Sequence, residues 1–264
     1  MHNFNYHRAS SVAEAAKLIA GKSDGKFLAG GMTLIPTLRA RLASPSDLVD
    51  LAGAAELKGI KAEGGGLAIG AMTPHAEVAH SAEVKKTIPA LAVLAESIGD
   101  RQVRNRGTIG GSLANSDPAA DYPAGVLGLG ATIVTNKRKI AADEFFKGLF
   151  ETALQDGEII TAVNFPKPDK AAYVKFAQPA SRFALVGVFV AKTGGGVRVA
   201  VTGAGPCAFR VKEMEAALSK SFSADAIKDI KVPAKGLNSD IHASAEYRAH
   251  LIGVLAKRAV AACG

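Results

Sequence analysis

A chain of 264 residues with 48% hydrophobic and 21% charged residues is long enough to bury a full core, in one large domain or two. No apolar run approaches the roughly 18 to 20 residues that a bilayer span needs, and the start, Met1 to Arg8, has no apolar signal core, so the expectation is a cytoplasmic protein without a membrane span. The charge of +8 is spread along the chain, with 6% aromatics and no tryptophan, which leaves no stacking platform for nucleic acid, while Cys207 and Cys263 are too few for a zinc or iron-sulfur site built on four thiolates.

In chain order, Ser11 to Ala20 predicts a first helix: Ser11 with Glu14 forms a capping box, Val12, Ala15, Ala16 and Ile19 share a face, and Gly21 ends it. Lys26 to Ala29 reads as a strand, Leu34 to Leu42 as a helix and Asp47 to Leu51 as a second strand, a small αβαβ unit. Leu67 to Met72 is strand-like, and Thr73-Pro74 reads as an N-cap with proline at the first helical position of a helix to about Ala79. Ile88 to Ile98 has helical apolar spacing closed by Gly99. Ala131 to Thr135 and Lys139 to Ala141 form a hairpin around Asn136-Lys137, and Glu158 to Phe165 is a strand stopped by Pro166.

Pro166 to Lys170, with two prolines and three charges, reads as a linker. Beyond it, Ala172 to Ala177 is a strand, and Phe183 to Lys192 pairs with Val197 to Thr202 across Gly194-Gly195-Gly196. Helices follow at about Lys212 to Ser219, Ser223 to Asp229 and Ser244 to Ala262, the last with Tyr247, Leu251, Val254, Leu255 and Ala259 along one side. Strands and helices mix throughout without the regularity of a Rossmann fold, and G-x-G-x-x-G is absent.

Two glycine pairs carry the functional signal. Ala29-Gly30-Gly31-Met32-Thr33 links a short apolar strand to a helix, and Gly107-Thr108-Ile109-Gly110-Gly111-Ser112 opens a polar stretch containing Asn115, Ser116, Asp117 and Asp121. Glycine permits positive φ and lets a ligand reach main-chain N–H groups, so two such loops side by side suit the pyrophosphate of a large dinucleotide without a P-loop lysine. A glycine pair alone also serves as a plain turn. Arg101, Arg104 and Arg106 precede the second loop and raise the potential there. His75, His80, His242 and His250 are scattered and read as surface or helix residues, and no Ser-His-Asp set, zinc motif or paired-carboxylate pattern competes for catalysis.

With these residues in view, the chain resembles the FAD-binding medium subunit of the molybdenum hydroxylases, the group of xanthine dehydrogenase and aerobic carbon monoxide dehydrogenase, over nearly its whole length. The resemblance rests on Ala29 to Pro36, Asp47-Leu48-Val49-Asp50-Leu51, Ile69-Gly70-Ala71-Met72-Thr73, Arg106 to Asn115 continuing into Asp117 to Asp121, and Ser244-Ala245-Glu246-Tyr247-Arg248-Ala249-His250-Leu251. It implies an α+β fold: a two-part FAD-binding domain of the PCMH (vanillyl-alcohol oxidase-like) type at 1–167, divided into lobes 1–55 and 56–167, then a smaller α+β domain at 172–264 with an antiparallel sheet.

The resemblance further implies that Ala29, Gly30, Gly31, Met32 and Thr33, with Gly107, Thr108, Ile109, Gly110 and Gly111, hold the FAD pyrophosphate mainly through backbone amides. It places Asp121 near the flavin's sugar-like chain, Ile160 at an apolar contact, and Lys175 at a basic position found in some members. Asp121 also suits the cap of a helix beginning near Tyr122, and Ile160 suits core packing. Molybdopterin and iron-sulfur clusters are expected only on partner subunits, a small iron-sulfur subunit and a large molybdopterin subunit, in a dimer of heterotrimers. FAD here would take electrons from the clusters to an external acceptor. Two other readings stand beside this one: a stand-alone FAD-dependent reductase of the same fold, and a non-redox nucleotide-binding assembly module.

Overall fold

In the computed structural model, which describes residues 1–263, the chain opens with a strand absent from the sequence reading, β1 (Asn5–Arg8). Its polar, largely exposed residues carry no apolar alternation, and its pairing supplies the strand instead. Asn5 to Arg8 run parallel to β3 (Asp47–Asp50), whose other edge takes β2 (Lys26–Leu28), so the sheet order is β1-β3-β2. Between them lie α1 (Val12–Ile19) and the short α2 (Leu34–Arg39). The unit is therefore βαβαβ, not αβαβ. Ser11 caps α1 by accepting the Glu14 N–H at 3.1 Å, but Glu14 turns its carboxylate to the Ser10 N–H at 2.8 Å, one residue before the reciprocal partner of a capping box.

The second sheet is wholly antiparallel, in the order β4-β5-β10-β6-β7: β4 (Ile60–Glu63), β5 (Gly66–Gly70), β6 (Thr132–Thr135), β7 (Lys139–Ala141) and β10 (Ile160–Phe165). The β4-β5 hairpin turns through Gly64 and Gly65, both at positive φ, the conformation that joins two antiparallel strands most tightly. Between β5 and β6 run α3 (His75–His80), α4 (Ala82–Thr87), α5 (Pro89–Glu96), α6 (Arg101–Arg106), α7 (Ile109–Asn115) and α8 (Tyr122–Leu129). Pro74, not Thr73, occupies the N-cap position of α3; the Thr73 hydroxyl is drawn instead to the backbone of Gly59 at 3.0 and 3.2 Å. A single turn, α9 (Ala142–Phe145), and a small hairpin, β8 (Phe146–Gly148) and β9 (Glu151–Thr152), complete this region.

All eight residues of α8 are buried, which its low polarity permits and its position requires. It lies between α5 and the third sheet, where a Cβ on Gly128 would come within 2.6 Å of the Phe189 ring. That sheet has the order β11-β12-β13-β14: β11 (Lys170–Ala177), β12 (Ala184–Thr193), β13 (Gly196–Thr202) and β14 (Phe209–Arg210). Successive side chains point to opposite faces, and both faces are covered. Tyr173, Phe189, Ala191 and Ala200 join the central core with α5 and α8, whereas Val186, Val188, Val190, Val199 and Val201 form a second core under α10 (Lys212–Lys220) and α11 (Ala245–Ala262).

Two details of this region depart from the sequence reading. Ser223 to Asp229 does not form an α-helix; Ser223 caps a 3-10 turn at Ala224–Ile227. The buried stripe of α11 is Arg248, Leu251, Ile252, Leu255, Ala256, Ala259 and Val260, leaving Tyr247 43% exposed. The buried face thus takes in Ile252, Ala256 and Val260 in place of Tyr247 and Val254, with Arg248 on it bonded to the carbonyls of Leu185 and Gly203. Among the described residues no helix is long and apolar enough to cross a membrane.

Candidate functional site

The chain leaves the parallel sheet after Leu28 and turns through Gly31 at φ +76° into α2. Thr33, at the N-cap position, makes no side-chain cap bond. Among the described residues, none accepts a hydrogen bond from the amides of Gly30, Gly31, Met32 or Thr33. With Gly30 and Gly31 half-buried and Met32 and Thr33 exposed, these N–H groups sit where a helix start leaves its donors unpaired, an arrangement that suits an oxyanion.

The second glycine segment is built differently. It is the cap and first turn of α7, with the Thr108 hydroxyl accepting the Gly111 N–H at 3.1 Å. Residues 107–110 pair with 71–75: Gly110 N–H donates to Ala71 O at 2.8 Å, Ile109 N–H to Thr73 O at 3.2 Å, and His75 N–H to Gly107 O at 2.9 Å. Gly107 N–H is itself taken by Val103 O at 2.7 Å. The segment is therefore not a loop of free amides throughout: the N–H groups of Gly107, Ile109, Gly110 and Gly111 are engaged within the chain, while that of Thr108 has no acceptor among the described residues. Its glycines serve close packing, since a Cβ on Gly110 would lie 2.5 Å from the Ala71 Cβ and one on Gly107 would lie 2.5 Å from His75 Nε2. The motif Ile69 to Thr73, to which the sequence reading attached no task, is the platform beneath it.

The two segments meet. A Cβ on Gly30 would fall on the carbonyl oxygen of Arg106, with Gly107 Cα at 2.9 Å, and one on Gly111 would stand 3.3 Å from the Ala29 Cβ. Behind them His75 is buried, its ring centroid 5.2 Å from that of Tyr122. Neither His75 Nδ1 nor the Tyr122 hydroxyl has a partner among the described residues. Burial, aided by the charge of Arg104, lowers the His75 pKa to about 4, so the ring is neutral at pH 7.

Asp121 stands at the start of α8, yet its side chain makes no cap bond. Its Oδ1 accepts from the Tyr173 hydroxyl at 2.5 Å and from Lys175 Nζ at 2.9 Å, while Lys175 also donates to Ser97 O at 2.8 Å. All three side chains are nearly inaccessible. Burial raises the pKa of Asp121, opposed by the Lys175 charge and the Tyr173 hydroxyl. Asp121 and Lys175, distant in sequence, are thus direct partners, and Tyr173 is the member of the cluster that sequence reasoning missed. Its signal was present, because Tyr173 and Lys175 alternate on one face of a strand. Ile160 is 5% exposed and lies in the central core, where a β-bulge interrupts the pairing of β10 with β6.

The arginines divide. Arg104 is buried and committed to Glu96 at 3.0 Å and to the carbonyls of Ile98 and Gly99. Arg101 and Arg106 are exposed. A surface hollow of about 480 Å³, lined by Glu96, Asp100, Arg101, Gln102, Arg104 and Arg182, lies beside α6 and carries both signs of charge.

Replacing Lys175 by Met leaves a buried carboxylate with one of its two side-chain donors and no countercharge. A loss of about 3 kcal/mol in stability is expected, the scale for breaking one partner out of a buried pair. Denaturant unfolding of Lys175→Met against Lys175→Arg checks this; equal midpoints for parent and both variants would refute it.

Residues 2–168 match the family model of the FAD binding domain in molybdopterin dehydrogenase. The chain is 36% identical to the glyceraldehyde dehydrogenase medium chain of Sulfolobus acidocaldarius, covering 97% of this chain and 96% of that one. It is 35% identical to the carbon monoxide dehydrogenase medium chain of Hydrogenophaga pseudoflava, with the same coverage. Among solved structures, carbon monoxide dehydrogenase from Hydrogenophaga pseudoflava superposes with a TM-score of 0.90 at 36% identity, over 99% of this chain and 97% of that chain.

Proposed function

The chain belongs to the FAD-binding medium-subunit family of molybdopterin dehydrogenases, as the flavin subunit of a multi-subunit molybdenum-containing dehydrogenase, and on that premise we propose that it passes electrons from iron-sulfur clusters on a partner subunit through FAD to an external acceptor. The observation that carries the reading is the first glycine turn: four unpaired amides, closed by backbone contact onto Arg106-Gly107, within the segment that matches the family. The residues present suit a dinucleotide pyrophosphate.

In this proposal the amides of Gly30, Gly31, Met32 and Thr33 hold the pyrophosphate, with Ala29 at the entry to the turn. Gly107, Thr108, Ile109, Gly110 and Gly111 contribute the wall against which the turn closes, and Asp121 and Lys175 contribute a buried pair of opposite charges at the head of α8. Ile160 supports the cradle from the core side. FAD, when bound, supplies the junction between one-electron donors and a two-electron acceptor; the chain's task is to bind it, orient it and set its surroundings. The proposal extends to a PCMH-type FAD-binding domain at 1–167 followed by a second domain at 172–264. It also includes an iron-sulfur small subunit and a molybdopterin large subunit as partners, a dimer of heterotrimers, and a cytoplasmic location.

The test is to isolate the native complex containing this chain and denature it. Release of stoichiometric, non-covalent FAD is expected, with flavin bleaching alongside the cluster signals when the complex is reduced. A colourless complex that takes up no added FAD would refute flavin binding. Flavin reduced rapidly by NADH in a chain free of partners would favour the stand-alone reductase.

A further inference from the structure

The two strand residues that reach Asp121 come from the sheet outside the family-matched segment. Tyr173 and Lys175 lie two apart on β11, so both point to the same face of that sheet, and both meet a single carboxylate oxygen at the head of α8. Tyr173 is 7% exposed, its ring stacked on Phe189 with centroids 6.1 Å apart and planes at 30°. The ring is therefore held in place by packing that does not depend on the hydroxyl. With Lys175 also anchored on Ser97 O, the carboxylate of Asp121 is fixed by two donors from one direction.

We propose that Tyr173 is a positioning residue for flavin binding, acting through Asp121, so that the site formed by the first 168 residues is completed by a hydroxyl from the carboxyl-terminal sheet. The inference rests on the reading of Asp121 as part of the FAD site. It gives the long-range pairing of these elements a task beyond stability: the orientation of Asp121 depends on the docking of β11.

The experiment uses the full chain, in its native complex and alone, with FAD affinity as the readout. Tyr173→Phe keeps the stacked ring and removes only the donor. FAD affinity is expected to fall about tenfold, the effect of one hydrogen bond to a charged group, with circular dichroism unchanged. In an Asp121→Asn background the same substitution is expected to change affinity less than about twofold, because the residue it acts through has already been altered. An unchanged affinity in Tyr173→Phe, or an equal tenfold loss in both backgrounds, would overturn the inference. Fluorescence of the bound flavin separates this role from a general loosening, which would lower the melting temperature without coupling to Asp121. A parent that binds no FAD would overturn the underlying reading and the inference together, whereas a parent that binds FAD while Asp121→Asn leaves its affinity unchanged would remove Asp121 from the site and Tyr173 with it.

Discussion

Gly30→Ala is expected to weaken FAD binding at least tenfold and to cost about 1 to 3 kcal/mol of stability, the range for forcing extra atoms into a packed site. The added methyl would fall on the Arg106 carbonyl oxygen, with the Arg106 carbonyl carbon at 2.7 Å and Gly107 Cα at 2.9 Å. These are backbone atoms and cannot rotate away. Nor can the 106–110 segment easily retreat, because Ile109 and Gly110 are bonded to the carbonyls of Thr73 and Ala71. The first turn must move, and it carries the unpaired amides. Gly253→Ala provides the contrast: that glycine lies inside α11 with nothing within 4 Å of a new Cβ, so a gain of up to about 1 kcal/mol is expected there. Flavin titration and thermal unfolding of both variants check the pair. A Gly30→Ala chain with the parent's affinity and melting temperature would show that the contact between the two segments is immaterial.

The second large effect is expected at Arg248, which is 2% exposed. Its Nη1 donates to Leu185 O at 2.6 Å and Gly203 O at 2.9 Å, and its Nη2 to Asp240 at 2.7 Å. The two carbonyls lie near the start of β12 and just past the end of β13, beyond the last β12–β13 pair, Gly187 with Thr202, and Gly203 has φ +82°. Arg248 thus joins α11 to the ends of the two central strands of the third sheet. Arg248→Met retains much of the apolar stem and removes every donor. Two buried acceptors are then left unpaired, and a loss of about 3 kcal/mol is expected, offset in part because Arg248 Nε has no partner in the parent. For a chain of this size that corresponds to a fall of about 10 °C in melting temperature. Calorimetry of the variant measures it, and a fall below 2 °C would mean that packing alone holds the helix.

Local patterning made much of the chain legible. Apolar alternation and turn residues placed β6, β7, β12 and β13 closely, Ser244 was visible as the start of α11, and the two glycine pairs marked the turns that the structure brings together. These features depend on residues near one another in sequence, where φ preference and side-chain spacing act directly. The motif closing with Tyr247-Arg248 was recognisable as a pattern, but not as a guanidinium bonded to Leu185 and Gly203.

What only the tertiary structure decided has a common physical cause: the partner of a polar group lies far along the chain. β1 is a strand because Asp47 to Asp50 lie beside it, not because of its own residues. Asp121 suited a helix cap as well as a flavin contact in the sequence, and the structure gives its carboxylate to Tyr173 and Lys175, about fifty residues away, with no cap bond. The two glycine segments look alike as sequence, yet the amides of Gly30 to Thr33 remain unpaired while those of Ile109 and Gly110 find carbonyls at Thr73 and Ala71. Composition and spacing determine which residues can turn, bend or bond; which donors stay open to a ligand is determined only when distant segments have claimed the others.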